Sequence, residues 1–149
     1  MMAVNSIRER ILQTIVATLT PVATAQGATV WRTPAVAITR DQCPALVVFA
    51  ESESIAERSN DRVSRELTVR LVALARAVPP LVPETLADEL LCAAHATLMM
   101  DVNLGGLSLG IRELECDWEV EDADALACAI PARYQITYRT LVSDLSTLG

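Results

Sequence analysis

The sequence predicts an α+β fold, with two main helices packed on one face of a mainly antiparallel mixed sheet in the order α-β-β-α-β-β. Two segments place apolar residues at helical spacing, and other segments alternate in period two or form short apolar runs. Apolar residues make up 52% of the 149 and aromatic residues only 3%, so short aliphatic side chains must fill the core. This length suits one domain, residues 1–149.

The N-terminal segment is expected to form an amphipathic helix. Asn5 or Ser6 can cap it, and Pro21 and later Gly27 are expected to close it. A secretory signal is the alternative, because two arginines precede an apolar run, but polar residues interrupt that run and favour an intracellular helix. The stripe comprises Ile7, Ile11, Leu12, Ile15, Val16 and Leu19.

The next part of the chain is expected to supply the first strands. Thr29 to Thr33 and Pro34 to Ile38 indicate short edge strands or extended loop, and the apolar run from Ala45 to Ala50 indicates a central strand buried on both faces. The polar stretch from Glu51 to Arg62 has no period and is interpreted as a long mobile hairpin loop. The alternation from Val63 to Leu74 then predicts a long strand.

A second helix and two further strands are expected in the C-terminal half. Prolines precede apolar residues at helical spacing from Thr85 to Met100, which predicts the helix. A glycine-containing turn from Asp101 to Gly106 leads into a strand from about Ser108 to Glu121. An acidic loop separates it from a final strand, Ile130 to Leu141.

Composition argues against several function classes. The net charge of −7 and the pI of about 4.6 disfavour nucleic-acid binding and adhesion to anionic membranes, and no apolar run is long enough to span a bilayer. The single histidine, His95, has no recognisable nucleophile motif beside it, so no catalytic activity is expected. The four cysteines lack metal-site spacing and are interpreted as reduced core or near-core residues of a cytosolic protein.

A one-sided row of carboxylates from Glu113 to Glu121 is the most distinctive pattern. Five carboxylates on one strand face repel one another unless cations lie beside them, and arginines of other strands, Arg70 among them, could supply these cations. Two interpretations stay open: a solvated sheet face, or a face that contacts neighbouring subunits or lines a channel. The residues proposed for the second are Glu113, Glu115, Asp117, Glu119, Arg133 and Arg139.

Several segments in this order resemble the tail terminator proteins of long-tailed bacteriophages, the group that includes the minor tail protein U family. The likeness is carried by the first helix, the strand entry Cys43 to Phe49, the polar stretch after it, the long strand from Val63, the proline-initiated second helix and the closing strand Ala132 to Arg139. It covers most of the chain and concerns structural patterns, without a catalytic signature, and it implies no cofactor.

This resemblance implies a ring, usually a hexamer, that caps the finished tail tube, stops its polymerisation and presents the surface to which the filled head joins. The implied partners are further copies of the chain, a tail tube protein and a head-completion or neck protein. The implied location is the bacterial cytoplasm during assembly and then the virion tail.

Two expectations add the chain's own residues to that role. Carboxylates lining a channel would repel passing DNA, and the polar stretch is expected to contact the tube through Glu51, Glu53, Glu57, Arg58, Asp61 and Arg62. The competing interpretation is a small α+β ligand-binding or regulatory domain with an apolar pocket between sheet and helices.

Overall fold

The computed structural model describes residues 4–33, 38, 42–77, 80–116 and 127–149. It confirms the α+β fold. Five strands form one mixed sheet in the order β1-β2-β3-β5-β4, with β1 parallel to β2 and the other pairs antiparallel. The elements are α1 (Ile7–Ala25), β1 (Thr29–Arg32), β2 (Ala45–Ser59), β3 (Arg62–Arg76), α2 (Pro83–Met100), β4 (Gly110–Leu114) and β5 (Ala127–Leu141).

Helix α1 begins at the expected cap. The hydroxyl of Ser6 accepts a 3.1 Å hydrogen bond from the backbone N–H of Glu9, and the predicted apolar stripe lies in the core. The prediction that Pro21 closes the helix is wrong, because α1 continues to Ala25. The carbonyl that loses its partner at Pro21 belongs to Ala17, an exposed residue, so water can replace the missing N–H.

Both helices pack on the same face of the sheet, here called the helix face. Every second residue of β3 and of β5 points into the core on this face, and these core residues are register partners of one another. Full burial of one such aliphatic side chain contributes roughly 1.5–3 kcal/mol, so the two helices and the sheet stabilise one another. The sheet contributes Leu46, Val48, Leu67, Val69, Leu71, Ala73, Ile130, Tyr134 and Ile136 to this core, among others.

The predicted hairpin loop from Glu51 to Arg62 is wrong, because these residues are strands. β2 continues to Ser59, the turn is Asn60 and Asp61, and β3 begins at Arg62. The predicted mobile segment is therefore a paired antiparallel ladder. Of the six residues proposed to contact the tube, Asp61 lies in the turn. The other five lie on strands: Glu51, Glu53, Glu57, Arg58 and Arg62.

The strand after the glycine turn is shorter than predicted, whereas the turn itself is confirmed. β4 ends at Leu114, so the expected strand to Glu121 is shorter, and Asp117, Glu119 and the acidic loop lie outside the described residues. The double glycine forms a tight 3-10 turn in which Gly105 and Gly106 have φ values of 70° and 97°. Such positive values favour glycine, which explains the pair at this point.

Candidate functional site: the outer part of the sheet

The side of the sheet away from the helices, here called the open face, carries a polar group built around Glu51. Arg70 of β3 and Arg133 of β5 are register partners, so their like charges stand side by side. One carboxylate oxygen of Glu51 lies 2.8 Å from Arg133 Nε, and the other lies 3.5 Å from Arg70. Glu51 therefore bridges two guanidinium groups that would otherwise repel each other.

The polar group continues along the open face towards β4 and the turn at Asn60. Arg112 donates a 2.9 Å hydrogen bond to Gln135, and the amide of Gln135 donates a 3.1 Å bond to Glu66. Further along, Arg139 Nε donates to the hydroxyl of Ser64 at 3.3 Å. This network spans four strands, and its members are exposed or half-buried, so it forms a charged surface rather than a pocket.

A second carboxylate cluster lies on the helix face, close to the start of α1. Glu53 accepts a hydrogen bond from the hydroxyl of Tyr138 and lies 3.2 Å from Arg8 and 3.7 Å from Arg65. Burial, followed by the hydrogen bond to Glu53 and then the negative charge of Glu53, raises the pKa of Tyr138 well above its usual range. This cluster attaches β2 to β5 and to α1.

A β-bulge explains why Glu51 and Glu53 occupy different faces. The register runs from Ala50 opposite Val69 directly to Ser52 opposite Thr68, so Glu51 is an extra residue on β2. Residues two apart normally share a face, and the extra residue breaks that relation.

The cross-strand pairing of carboxylates with arginines that the sequence allows does not occur at Glu113, and the acidic residues after Cys116 lie outside the described residues. Glu113 is the register partner of Tyr134, and Leu114 is the partner of Arg133, so Glu113 belongs to the helix face at the edge of the sheet. The guanidinium group of Arg133 instead donates a 3.2 Å hydrogen bond to the backbone carbonyl of Glu115. Glu113 and Glu115 are both exposed.

His95 makes a contact that sequence reasoning missed. Its Nδ1 and the hydroxyl of Tyr134 share a 2.8 Å hydrogen bond, with the two ring centroids 5.7 Å apart. Burial, and to a smaller extent Glu113, raises the pKa of Tyr134 to about 12, so the hydroxyl stays protonated near neutral pH. This pair links α2 to β5, and the helical spacing of His95 in the sequence could not identify its partner on a distant strand.

Other candidate sites are sparse. A cleft of about 750 Å³ lies beside α2 and is lined by Pro44, Leu86, Leu90, Cys92 and Ala93, among others. Cys92 is exposed, so the expectation of a core or near-core position is wrong for this cysteine. Among the residues that the structure describes, no three His, Cys, Asp or Glu side chains are grouped to hold a metal ion, and no helix is long and apolar enough to cross a bilayer.

Comparison of the chain with models of known protein families and with curated proteins returns no match.

Proposed function

We propose that the chain is a structural protein of a phage or prophage that caps the tail tube as a ring, ends tail polymerisation and provides the head-joining surface. The observation that carries the proposal is the part of the sheet beyond Ala50, where the long strands β2 and β3 carry a charged open face and both described helices pack on the other side. A sheet of this size costs conformational entropy to order, and the charged network adds little stability of its own. Contact with other protein surfaces is the function that such a face serves.

The fold agrees with what the resemblance implies. The resemblance calls for helices packed on a mainly antiparallel sheet, and the chain has α1 and α2 on one face of five such strands. The proposed partners are further copies of the chain in a hexamer, the tail tube protein and a neck or head-completion protein.

We place the proposed tube contact at the turn of the β2–β3 hairpin, because residues 51–62 form paired strands and this turn rather than a flexible loop. Arg58, Asp61 and Arg62 lie at this turn and are exposed. The backbone carbonyl of Asp61 also accepts a 2.6 Å hydrogen bond from Val142, which fixes the turn against the C-terminal segment. A fixed charged turn can dock without the entropic cost of ordering a loop.

Co-expression with the tail tube protein of the same genome tests this function. We expect tubes of limited length that carry the chain at one end in electron micrographs, and continued elongation when the chain is omitted. An Arg58→Glu/Arg62→Glu variant should fold normally and cap poorly, whereas Arg8→Gln, away from the turn, should cap normally. Tubes that elongate equally with and without the chain would contradict the proposal.

The exposed carboxylates of β4 provide a second test of the ring. We propose that Glu113 and Glu115, with Asp117 and Glu119 beyond the described residues, lie at a subunit boundary or along the channel, where negative charge eases the passage of DNA. Replacing Glu113 and Glu115 by lysine should leave folding intact and impair ring formation or tail joining. Unchanged assembly and joining would remove these residues from the proposal.

The cleft beside α2 supports the competing function, a ligand-binding or regulatory domain. Its volume of about 750 Å³ falls in the range of small-molecule sites. It is largely apolar, and its charged lining residues are Arg76, Asp88 and Glu89, so an apolar ligand with one polar group would suit it. An Ala93→Trp variant should fill the cleft without altering tube capping, and a loss of capping would favour the ligand-binding function.

A further inference from the structure

The sheet has two lateral edges with unpaired backbone groups. β1 pairs with β2 only along Ala45 to Val48, and no described strand lies beside β2 from Phe49 to Ser59. At the opposite end of the strand order, β4 pairs with β5 on one side, and no described strand lies on its other side. Unpaired strand edges are templates for pairing with another chain.

The free edges of β4 and β2 are at the same height along the strand direction of the sheet. Following the register through β5 and β3, Arg112 of β4 stands in line with Gln135, Thr68 and finally Ser52 of β2. By the same route, Gly110 stands in line with Ser54. A neighbouring copy displaced sideways, without a shift along the strands, would therefore bring β4 beside this part of β2.

The strand directions also match. β2, β3, β5 and β4 alternate in direction, so β2 and β4 run oppositely within one copy. When copies point the same way around a ring, β4 of one copy meets β2 of the next as an antiparallel pair, the more stable of the two ladder types. Such a contact joins different surfaces of the two copies. Its repetition closes a ring when the rotation between neighbouring copies divides a full turn evenly, and gives an open filament when it does not.

The shape of the β2 edge selects a short partner strand. Bulges at Glu51 and at Ala56 leave only Ser52 to Ile55 as a regular edge between them. β4 is five residues long, close to the four residues of this window. The charges agree as well, since Arg112 of one copy would approach Glu51 of the next on the open face.

We propose that the outer edge of β4 in one copy pairs with Ser52 to Ile55 of β2 in the next copy, extending the sheet around the ring. This inference rests on the proposed ring function, and it names the subunit contact. Bulges beside the pairing window protect the unassembled chain from less specific edge pairing.

Cysteine cross-linking tests the contact with a double variant, Ser52→Cys/Arg112→Cys, in a Cys92→Ala background. Within one copy the two positions lie three strand spacings apart, about 14 Å, whereas a disulfide requires Cα atoms roughly 4.4–6.8 Å apart. Any disulfide between them must therefore join two copies. Under mild oxidation we expect a ladder of covalent multimers ending at the ring size, with monomers restored by reductant.

Two controls define the background. Each single variant should give no ladder, and Ser59→Cys/Arg112→Cys should give none, because Ser59 lies seven residues beyond Ser52 on the same strand. Light scattering on the reduced proteins reports ring formation separately. A ring without a ladder above these controls would overturn the edge contact and leave the proposed function standing.

Other outcomes are equally decisive. Covalent dimers from Ser52→Cys alone, with peptide mapping showing the two substituted positions joined to each other, would show that β2 pairs with β2 and would overturn the head-to-tail contact. A chain that stays monomeric at every concentration and with the tube protein would remove the ring function, and the edge contact with it.

Discussion

Glu51 and Glu53 lie two residues apart on β2 and have different surroundings. Glu53, with 17% of its side chain exposed, contacts Tyr138, Arg8 and Arg65 on the helix face. Glu51, with 32% exposed, bridges Arg70 and Arg133 on the open face. One extra residue in the strand thus gives one carboxylate a role in holding the subunit together and places the other on a surface available for contact.

Removal of the Glu53 carboxylate should have the largest effect. Glu53→Ala leaves two arginines and a buried tyrosine hydroxyl without their shared acceptor, and we expect a loss of about 2 kcal/mol in the free energy of unfolding, allowing for partial solvent exposure. Urea denaturation measures it. Tyr138→Phe, which removes one hydrogen bond and keeps the ion pairs, should cost about 1 kcal/mol. Equal, negligible losses in both would show that the cluster does not stabilise the fold.

Alkaline pH should weaken the helix face. Burial raises the pKa of Tyr134 from 10.0 to about 12, so the folded state holds this proton more tightly than the unfolded state does. The associated stability is complete below about pH 10 and is lost as the pH rises through about 12. Urea denaturation of the wild type and of Tyr134→Phe across this window should show a smaller decline in the variant. An identical loss of stability in the two proteins would show that another group, and not Tyr134, is responsible for the pH dependence.

Removal of the Glu51 carboxylate should have a smaller effect. Glu51→Gln leaves Arg70 and Arg133 facing each other, and we expect a loss below about 1 kcal/mol that shrinks as salt is added, since both guanidinium groups are partly exposed. Thermal unfolding at low and high salt measures it. The additional change Arg70→Gln removes the repulsion and should recover most of the loss. A loss as large as that of Glu53→Ala would remove the contrast between the two faces.

The smallest effect should come from Glu113. Its charge is the secondary cause of the raised pKa of Tyr134, so Glu113→Gln should lower that pKa slightly while leaving the unfolding free energy at neutral pH almost unchanged. Tyrosinate absorbance during alkaline titration measures the pKa. Glu115→Gln, on an exposed neighbour, is the matched control. A shift of equal size in both variants would show that the register places neither carboxylate specifically beside Tyr134.

The sequence predicted the helices and the paired strands of the inner sheet because one face of each element is buried there, so Ile7, Ile11 and Ile15 recur at helical spacing and Leu67, Val69 and Leu71 alternate. The hairpin from Glu51 to Ser59 was missed for the opposite reason. Much of it is exposed, and two bulges shift the alternation, so its polar residues show no period and resemble a loop.

The candidate site was predicted only in part. Arg133 and Arg139 do lie on the polar face of the last strand, but their neighbours depend on register, which alternation within a single strand cannot fix. Glu113 lies on the helix face and is exposed because it stands at the sheet edge, and a sequence pattern does not distinguish that position from the open face. The partnership of His95 with Tyr134 likewise depends on how α2 crosses β5.

The mass of the purified chain in solution tests most directly whether it acts by assembly. Size-exclusion chromatography with light scattering, over a range of concentrations and with the tube protein present, should show a closed species whose mass is a whole multiple of 16.1 kDa, six on the resemblance. Its share should grow with concentration without larger species following. A monomer or dimer that persists under all these conditions would contradict the account.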